Sequence, residues 1–329
     1  MRAIEFYLFG DPVETLELVS LPEPVPGAGQ VLVRMAARPI NPSDLYMVRG
    51  RYGYLPTLPA VPGLEGCGVI EAVGAEVSGY RVGQRVITMS VRRGGTWSEY
   101  AVVDARPEYL LPVPDGLSDG QAAQFTVNPL SAWLMVRRRL ALAPGDWLVQ
   151  SAGASQVGRL VHQFGSGIGF HTINVVHRPE RAAELRESGA RHVICSATDD
   201  VYKEIMIRTD GAGATAALDA VGGPSATEMA RALRPRGRML VYGLLAGKST
   251  AFDTSSLLFN ANSIEGFWLS AALRDDPAGF GRSAAELAAY PGLAGLIAEA
   301  EASYDLADFG EAIRHAERKG RSGKILLTG

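Results

Sequence analysis

The chain has 329 residues, of which 47% are hydrophobic and 20% charged, and its formal net charge is −3. That length suits about two domains, and that charge gives no reason to expect nucleic acid or a broad membrane surface as a partner. Two cysteines, Cys67 and Cys195, exclude a disulfide framework and a four-cysteine zinc lobe and fit a reducing compartment, taken here as the cytoplasm. The first residues lack a signal-like pattern and no run of about 18 apolar residues occurs, so neither secretion nor a membrane span is expected.

Residues 1 to about 120 read as β-rich. Candidate strands are Ala3–Leu8, Leu16–Leu21, Val31–Ala37, Gly68–Val73, Arg85–Met89 and Trp97–Val103, punctuated by Pro and Gly. Short strands so spaced suggest a barrel-like or sandwich-like module. Within it, the segment Asn41–Gly66 reads as irregular. It is too apolar and aromatic for a linker, and an irregular stretch that long is usually functional.

From about residue 118 the pattern becomes α/β. Ser118 and Gln121 have the spacing of a capping box, and a helix is expected over Pro129–Leu140. Next come a strand, Trp147–Gln150, a small-residue turn, Ser151–Gln156, and a helix with Val157, Leu160, Val161 and Phe164 on one face. A second strand, Thr172–Val176, completes a unit of the length of a dinucleotide-binding βαβ. Helices at Glu180–Ser188, Asp200–Arg208 and Ser225–Leu233 alternate with strands at His192–Cys195, Ala214–Ala220, Gly237–Tyr242 and Ser263–Leu269. Such alternation predicts a doubly wound parallel sheet, a Rossmann domain. Helices near Ala284–Tyr290, Leu293–Ala300 and Leu306–Lys319 and a strand at Gly323–Thr328 return the chain to the β module. The expected fold is thus α/β, with a β-rich domain at 1–121, completed by 265–329, interrupted by a Rossmann domain at 122–264.

The turn is not a clean G-x-G-x-x-G. Gly158 fits the glycine where the helix packs on the strand, while Ala152 and Ser155 are small enough for backbone to approach a pyrophosphate at the helix start. A plain α/β loop is the alternative. The second strand ends in His177-Arg178 instead of the acidic residue that binds a ribose 2′-hydroxyl. A basic end suits a 2′-phosphate, so NADPH is expected, arginine's planar fork matching phosphate; a solvated charge pair opening a helix is the plainer reading.

Several motifs carry a family resemblance: Pro39-Ile40-Asn41-Pro42-Ser43-Asp44, Gly50-Arg51-Tyr52-Gly53, Leu58 to Gly66, Val127-Asn128-Pro129-Leu130-Ser131-Ala132, Thr172 to Val176, Ala220-Val221-Gly222-Gly223 and Gly266-Phe267-Trp268-Leu269-Ser270. From start to finish the chain resembles the medium-chain dehydrogenase/reductase superfamily in its zinc-free branch. Within that branch it is most similar to mitochondrial-type 2-enoyl thioester reductases and bacterial NADPH:quinone reductases. The resemblance implies a GroES-like catalytic domain, a homodimer, and a thioester or other small-molecule substrate, with an acyl carrier protein as a further partner. Zinc-dependent relatives place Cys where Asn41–Asp44 stands and a His-Glu pair where Leu64-Glu65 stands. The five histidines here show no ligand spacing, and zinc needs about three protein ligands. Without a Lewis acid, hydride delivery to an activated C=C bond is favoured over alcohol oxidation.

The reaction inferred adds hydride to the β-carbon of the enoyl group and a proton to the α-carbon. It needs an oxyanion stabiliser and a positioned acid. The resemblance puts the acid at Tyr52, with Tyr46 and Tyr54 as neighbours; otherwise Tyr52 is an aromatic lid residue. It puts Asn41 beside the nicotinamide, although an Asn-Pro turn cap is an equal reading. Trp268 would line the acyl and nicotinamide pocket, against core packing as the alternative. Cofactor contacts are assigned to Ser131, which stands where the enoyl reductases carry threonine, to Ser155, Gln156, Val157 and Gly158 in the turn, to His177 and Arg178, and to Tyr242, Phe267 and Lys324. Lys324 is expected to reach the cofactor phosphates. Arg137-Arg138-Arg139 is either a docking site for an acidic carrier or coenzyme A phosphates, or a solvated helix face. A quinone or small-enone reductase and a redox-inactive NADPH-binding regulator are the competing functions.

Overall fold

The computed structural model describes residues 1–89, 94–247, 249–318 and 320–329. They form two compact units, one from Met1–Leu130 and Leu273–Gly329 and the other from Ser131–Ala272. The expected breaks at 121/122 and 264/265 lie short of these, for local reasons. The amides of Thr126 and Val127 donate to Glu65 of the first unit, and Ser263–Gly266 pairs into the sheet of the second.

Strands of the first unit begin with β1 (Arg2–Phe6), β2 (Leu16–Ser20), β3 (Gln30–Pro39) and β4 (Glu65–Val73). They continue with β5 (Arg85–Met89), β6 (Tyr100–Asp104) and β7 (Leu110–Pro112). The second unit holds β8 (Trp147–Gln150), β9 (His171–Val176), β10 (His192–Cys195), β11 (Ala214–Asp219), β12 (Leu233–Val241) and β13 (Ser263–Gly266). The chain closes in the first unit with β14 (Ala302–Asp305) and β15 (Ile325–Thr328).

In the first unit β1 pairs with β2, and a larger sheet runs β14-β15-β3-β4-β5-β7 with β6 against β3. Strand β3 is its hub, pairing with β4, with β6 and, at its end, with β15 through Leu326↔Pro39 and Leu327↔Arg38. Arg38 is completely buried there. Its guanidinium donates to the carbonyls of Met35, Thr96, Ser98, Leu327 and Gly329, tying β3 to the loop before β6 and to the final residues. Burial draws its pKa down to about 10. Two apolar cores flank this sheet, one around Ile4, Phe6, Ile40, Trp97, Ile313 and Leu327, the other around Val31, Val33, Ile70, Val86 and Leu110.

The segment Asn41–Gly66, expected to be irregular, opens with a helix over Pro42–Val48. Pro42 occupies the first helical position, where a missing N–H costs nothing, and the Asp44 carboxylate accepts the Asn41 N–H at 2.8 Å. About two turns of helix are too few to register as a period in the sequence. The Ser118–Gln121 capping box is present as expected. The Pro129–Leu140 helix instead alternates, with π-type turns at Thr126–Leu130 and Met135–Arg139 around Ser131–Leu134. Pro129 has no N–H to give an α-helical ladder, and Leu130 N–H reaches back to Phe125 O at 3.3 Å. The expected Leu306–Lys319 helix is a 3₁₀ turn, Leu306–Asp308, and a helix, Phe309–Glu317; Lys319 lies outside the described residues.

The second unit is a parallel sheet of order β10-β9-β8-β11-β12-β13. Successive strands step outward from β8 on one side, then restart at β11 on the other. The order therefore reverses between β8 and β11, which in doubly wound sheets is the place where ligands bind beyond the strand ends. Its core packs Val149, Ile173, Ile194, Ala217 and Met239. The Gln156–Ile168 helix buries Leu160, Val161 and Phe164, and Phe164 meets Trp133 edge-on with centroids 5.2 Å apart. Among the described residues no helix is long and apolar enough to cross a membrane.

Phe164→Ala removes a fully buried ring and its aromatic partner contact. It is expected to lower the stability of the second unit by about 3–5 kcal/mol, read as a shift of the urea midpoint by circular dichroism. A shift below about 1 kcal/mol would show that the site collapses around the loss.

Candidate active site

In the first unit, the ends of β3, β4 and β15 converge on a buried polar cluster. Asn41 follows β3 and is 1% exposed. Its Nδ2 donates to Glu65 Oε1 at 2.9 Å, and its Oδ1 accepts from Lys324 Nζ. Glu65, the first residue of β4, is fully buried, and its Oε2 accepts the N–H groups of Thr126 at 3.0 Å and Val127 at 2.7 Å. Asp44, also fully buried, accepts the Asn41 N–H at 2.8 Å and the Leu64 N–H at 3.0 Å.

Burial dominates the electrostatics. It pushes Asp44 up to about 7 and raises Glu65, against the pull of Lys324 and three hydrogen-bond donors on the latter. It draws Lys324 down to about 8, opposed by Glu65. Lys324 is 5% exposed and its ammonium is turned inward onto Asn41, so the group expected at the cofactor phosphates already has a partner. The Asn41 amide is likewise engaged at both ends.

The helix capped by Asn41 leads straight to Tyr52. Gly50 has φ +67°, and a Cβ there would stand 3.1 Å from Phe9 Cβ, so the Phe9 ring packs directly on the backbone before Tyr52. Arg51 N–H donates to Tyr46 O at 2.8 Å and closes the turn. Tyr52 and Tyr46 are half-buried, whereas Tyr54 is exposed.

In the second unit, Ser155 caps the Gln156–Ile168 helix, its Oγ accepting the Gly158 N–H at 3.1 Å. A Cβ on Gly158 would lie 2.6 Å from Gly153 O, and one on Gly153 would lie 2.7 Å from Asn174 Cβ. Both glycines are thus required by close packing of turn, helix and strand. Gln156 and Val157 form the half-buried first turn. This turn follows β8, on the strand beside the order reversal, so the small-residue cradle and helix start fit a dinucleotide pyrophosphate. Beneath it, Gln150 Nε2 donates to Gly158 O and to Asn174 Oδ1, both at 2.7 Å. Ser151 Oγ donates to Asp219 Oδ1 at 2.6 Å, and Asp219 accepts the N–H groups of Val221 and Gly222.

His177 and Arg178 follow β9 and are exposed. His177 Nδ1 lies 3.3 Å from Ser196 Oγ, and Arg178 has no ion-pair partner among the described residues. The Tyr242 hydroxyl is buried, which raises its pKa well above the ordinary phenol range, with Ser155 acting in the opposite direction. Ser131 is buried at the start of the Ser131–Leu134 turn. Phe267 is buried and its N–H bonds to Val241 O. The strand expected through Leu269 ends at Gly266, so Trp268 stands in the link to the Leu269–Asp275 helix, its carbonyl accepting from Ala271 and Ala272.

Glu65, Asp44, Gln150, Asn174 and Asp219 were not singled out by sequence. Glu65 had a visible signal, a lone carboxylate in the Gly and apolar run from Gly63 to Ile70. The others are ordinary until their partners are known.

Asp44 gives a pH test. Its folded-state pKa of about 7 exceeds the unfolded value of 3.8. Between those values the folded form holds a proton that the unfolded chain has released, so this group makes the fold lose stability as pH rises through that window. Asp44→Asn should flatten the dependence. Urea midpoints at about pH 4.5 and about pH 7.5 that differ equally in both proteins would refute the assignment.

Comparison with known proteins adds the family. Residues 157–284 match the zinc-binding dehydrogenase model and residues 27–115 the alcohol dehydrogenase GroES-like domain model. The donor set present does not fit the zinc of the first description. Lys324 places an ammonium beside Asn41, the Cys67 thiol is buried and pushed up to about 12, and no three His, Cys, Asp or Glu side chains gather to hold a metal among the described residues. The human mitochondrial enoyl-[acyl-carrier-protein] reductase is 35% identical, over 100% of this chain and 88% of its own. The quinone oxidoreductase of Pseudomonas syringae superimposes with a TM-score of 0.87 at 28% identity, covering 100% of this chain and 99% of that one. Etr1p, solved with NADP and crotonyl-CoA, gives 0.83 at 27% identity with the same coverage, and its heterodimer with Etr2p from Candida tropicalis, a mitochondrial 2-enoyl thioester reductase, gives 0.83 at 29%. The chain is an oxidoreductase belonging to the medium-chain dehydrogenase/reductase superfamily.

Proposed function

We propose that the chain reduces the activated C=C bond of a 2-enoyl thioester, carried on coenzyme A or an acyl carrier protein, with NADPH. The observation that carries this reading is the run from Asn41 through the Pro42–Val48 helix to Tyr52. It sets a charge-held amide and a half-buried phenol on one short element of an oxidoreductase in which no zinc donor set gathers among the described residues. The naming of the human relative and the crotonyl-CoA bound to Etr1p support the same substrate class.

When bound, NADPH supplies the hydride that adds to the β-carbon. Tyr52 donates the proton that reaches the α-carbon, a phenol being ordinarily protonated at neutral pH. Asn41, fixed by Glu65 and Lys324, orients the reacting groups, and Trp268 lines the acyl and nicotinamide pocket. In the second unit Ser155, Gln156, Val157 and Gly158 hold the pyrophosphate at the helix start. His177 and Arg178 take the 2′-phosphate, consistent with an exposed Arg178 that has no acidic partner among the described residues. Ser131, Tyr242 and Phe267 flank the nicotinamide. In this reading the contribution of Lys324 to the cofactor site passes through Asn41.

Strand β13 pairs with β12 alone among the described residues, and a homodimer would continue the sheet across it. Two free, buried cysteines fit a reducing compartment, which this reading takes as the cytoplasm. A quinone or small-enone reductase is the second reading, supported by the Pseudomonas syringae match.

Wild-type protein is expected to consume NADPH with crotonyl-CoA. Tyr52→Phe should lower kcat by about 10²–10⁴-fold while NADPH still binds; unchanged turnover would remove the acid role from Tyr52. Silence toward crotonyl-CoA with a quinone reduced would transfer the function to the second reading. NADPH quenching of tryptophan fluorescence without any turnover would point to a redox-inactive regulator.

Arg178→Ala should weaken NADPH by about 10–100-fold, the loss of one charge-assisted phosphate contact, and leave NADH unaffected. Equal effects on both cofactors, in KM or in titration, would dissociate Arg178 from the 2′-phosphate.

A further inference from the structure

Outside the site described, a dense polar cluster in the first unit is built around Glu301, in the residue run before β14. Glu301 Oε2 accepts the Ser322 N–H at 2.7 Å, the Gly323 N–H at 2.8 Å and the Ser322 hydroxyl at 3.1 Å. Its Oε1 faces His315 Nε2 at 3.1 Å, and His315 Nδ1 lies 2.9 Å from the Tyr304 hydroxyl. The Glu301 N–H donates to Lys324 O at 2.8 Å. From the other side Arg321 donates to Ala316 O at 2.7 Å and to Gly323 O at 2.6 Å. A Cβ on Gly323 would lie 3.0 Å from Glu301 N, so turn and carboxylate residue touch backbone to backbone. Those donors hold the Glu301 carboxyl at about 2, the Gly323 amide contributing most.

Apart from the Glu301–His315 and His315–Tyr304 contacts that brace the carboxylate, the contacts of this clasp fall on the turn Arg321–Gly323 or on Lys324 itself. Lys324 is the next residue, and its buried ammonium meets Asn41. A side chain entering a buried cluster from a turn is aimed by that turn, and a shift of about 1 Å at a reacting group can cost about 10²-fold in rate. Only four of the 32 lysines and arginines are lysines, and this one is placed by a clasp of seven hydrogen bonds from Glu301, His315 and Arg321.

We infer that Glu301 is a positioning residue for the reaction. Braced by His315 and Tyr304, it locks the turn that sets Lys324 against Asn41. The inference rests on the reading of Asn41 as a reaction-site residue, and its test separates the two.

Competitive acetylation with acetic anhydride, read by peptide mass spectrometry, reports Lys324 against exposed Lys203. In the wild type Lys324 should be protected. Glu301→Ala should raise its relative labelling by about fivefold or more, the signature of local opening. With crotonyl-CoA and NADPH the same variant should lose kcat by about tenfold, with KM changed less than about twofold. Glu301→Gln keeps an acceptor for the Ser322 and Gly323 amides and should restore both readouts, which a general loss of carboxylate charge would not allow. A folded Glu301→Ala with Lys324 still protected overturns the inference, as does raised labelling with unchanged kcat. If Glu301→Ala does not fold, Gly323→Ala pushes the turn off an intact Glu301 and is read the same way. Wild-type protein without enoyl reduction would refute the proposed function, and the labelling ratio would still decide whether the clasp aims Lys324.

Discussion

A buried ammonium, an amide and a carboxylate in line, Lys324 to Asn41 to Glu65, hold the first unit together where its chain is discontinuous. Each group is costly to bury alone, and together they compensate one another. The same line gathers β3, β4, the start of the Thr126–Leu130 turn and the C-terminal strand. Apolar packing around Ile40 and Leu327 supplies the bulk of the attraction. The polar line instead fixes which strand ends meet, since a carboxylate buried in that core is costly unless donors meet it. Arg38 repeats the logic one layer away with carbonyls as its acceptors.

This arrangement also shows why a chain matched by a zinc-binding dehydrogenase description presents a donor set unsuited to zinc around Asn41. Where metal chemistry needs a set of neutral or anionic donors converging on a cation, the first unit supplies its own cation on a side chain and saturates the carboxylates with amide N–H groups. Positive charge is built in, and the segment from Asn41 to Tyr52 inherits a rigid start. The second unit buries the Asp219 carboxylate, which is met by the Ser151 hydroxyl and backbone N–H groups and not by an ammonium. Its turn is held by small residues, by Gln150 with Asn174 and by Ser151 with Asp219, and the positive end of the helix dipole lies at its exit.

The parallel sheet was legible because its strands are short apolar runs alternating with helices of clear period, and the Ser118 cap because its partner is three residues away. The helix at Pro42–Val48 was not, since seven residues between a proline and a glycine show too few turns for a period. Nor were the π-type turns around Ser131, which arise from the absence of a donor at Pro129 within an otherwise helical composition. Asn41 and Lys324 could be named from motifs. Their meeting could not, because nothing local at either position specifies a partner 283 residues away. The Glu301 clasp is more hidden still, as Glu, His, Tyr and Ser there are ordinary surface residue types.

That separation has a consequence for synthesis. At about 5–20 residues per second, roughly 15–60 s pass between the appearance of Asn41 and that of Lys324. Throughout that interval Asp44 and Glu65 have no cation to meet, and β3 lacks its β15 neighbour. The second unit, being continuous, is complete within it. The nascent protein therefore carries a complete parallel-sheet unit while the first unit still lacks its C-terminal strand. A ribosome that stalls late releases a chain whose parallel sheet is complete and whose Asn41 amide lacks its Lys324 partner.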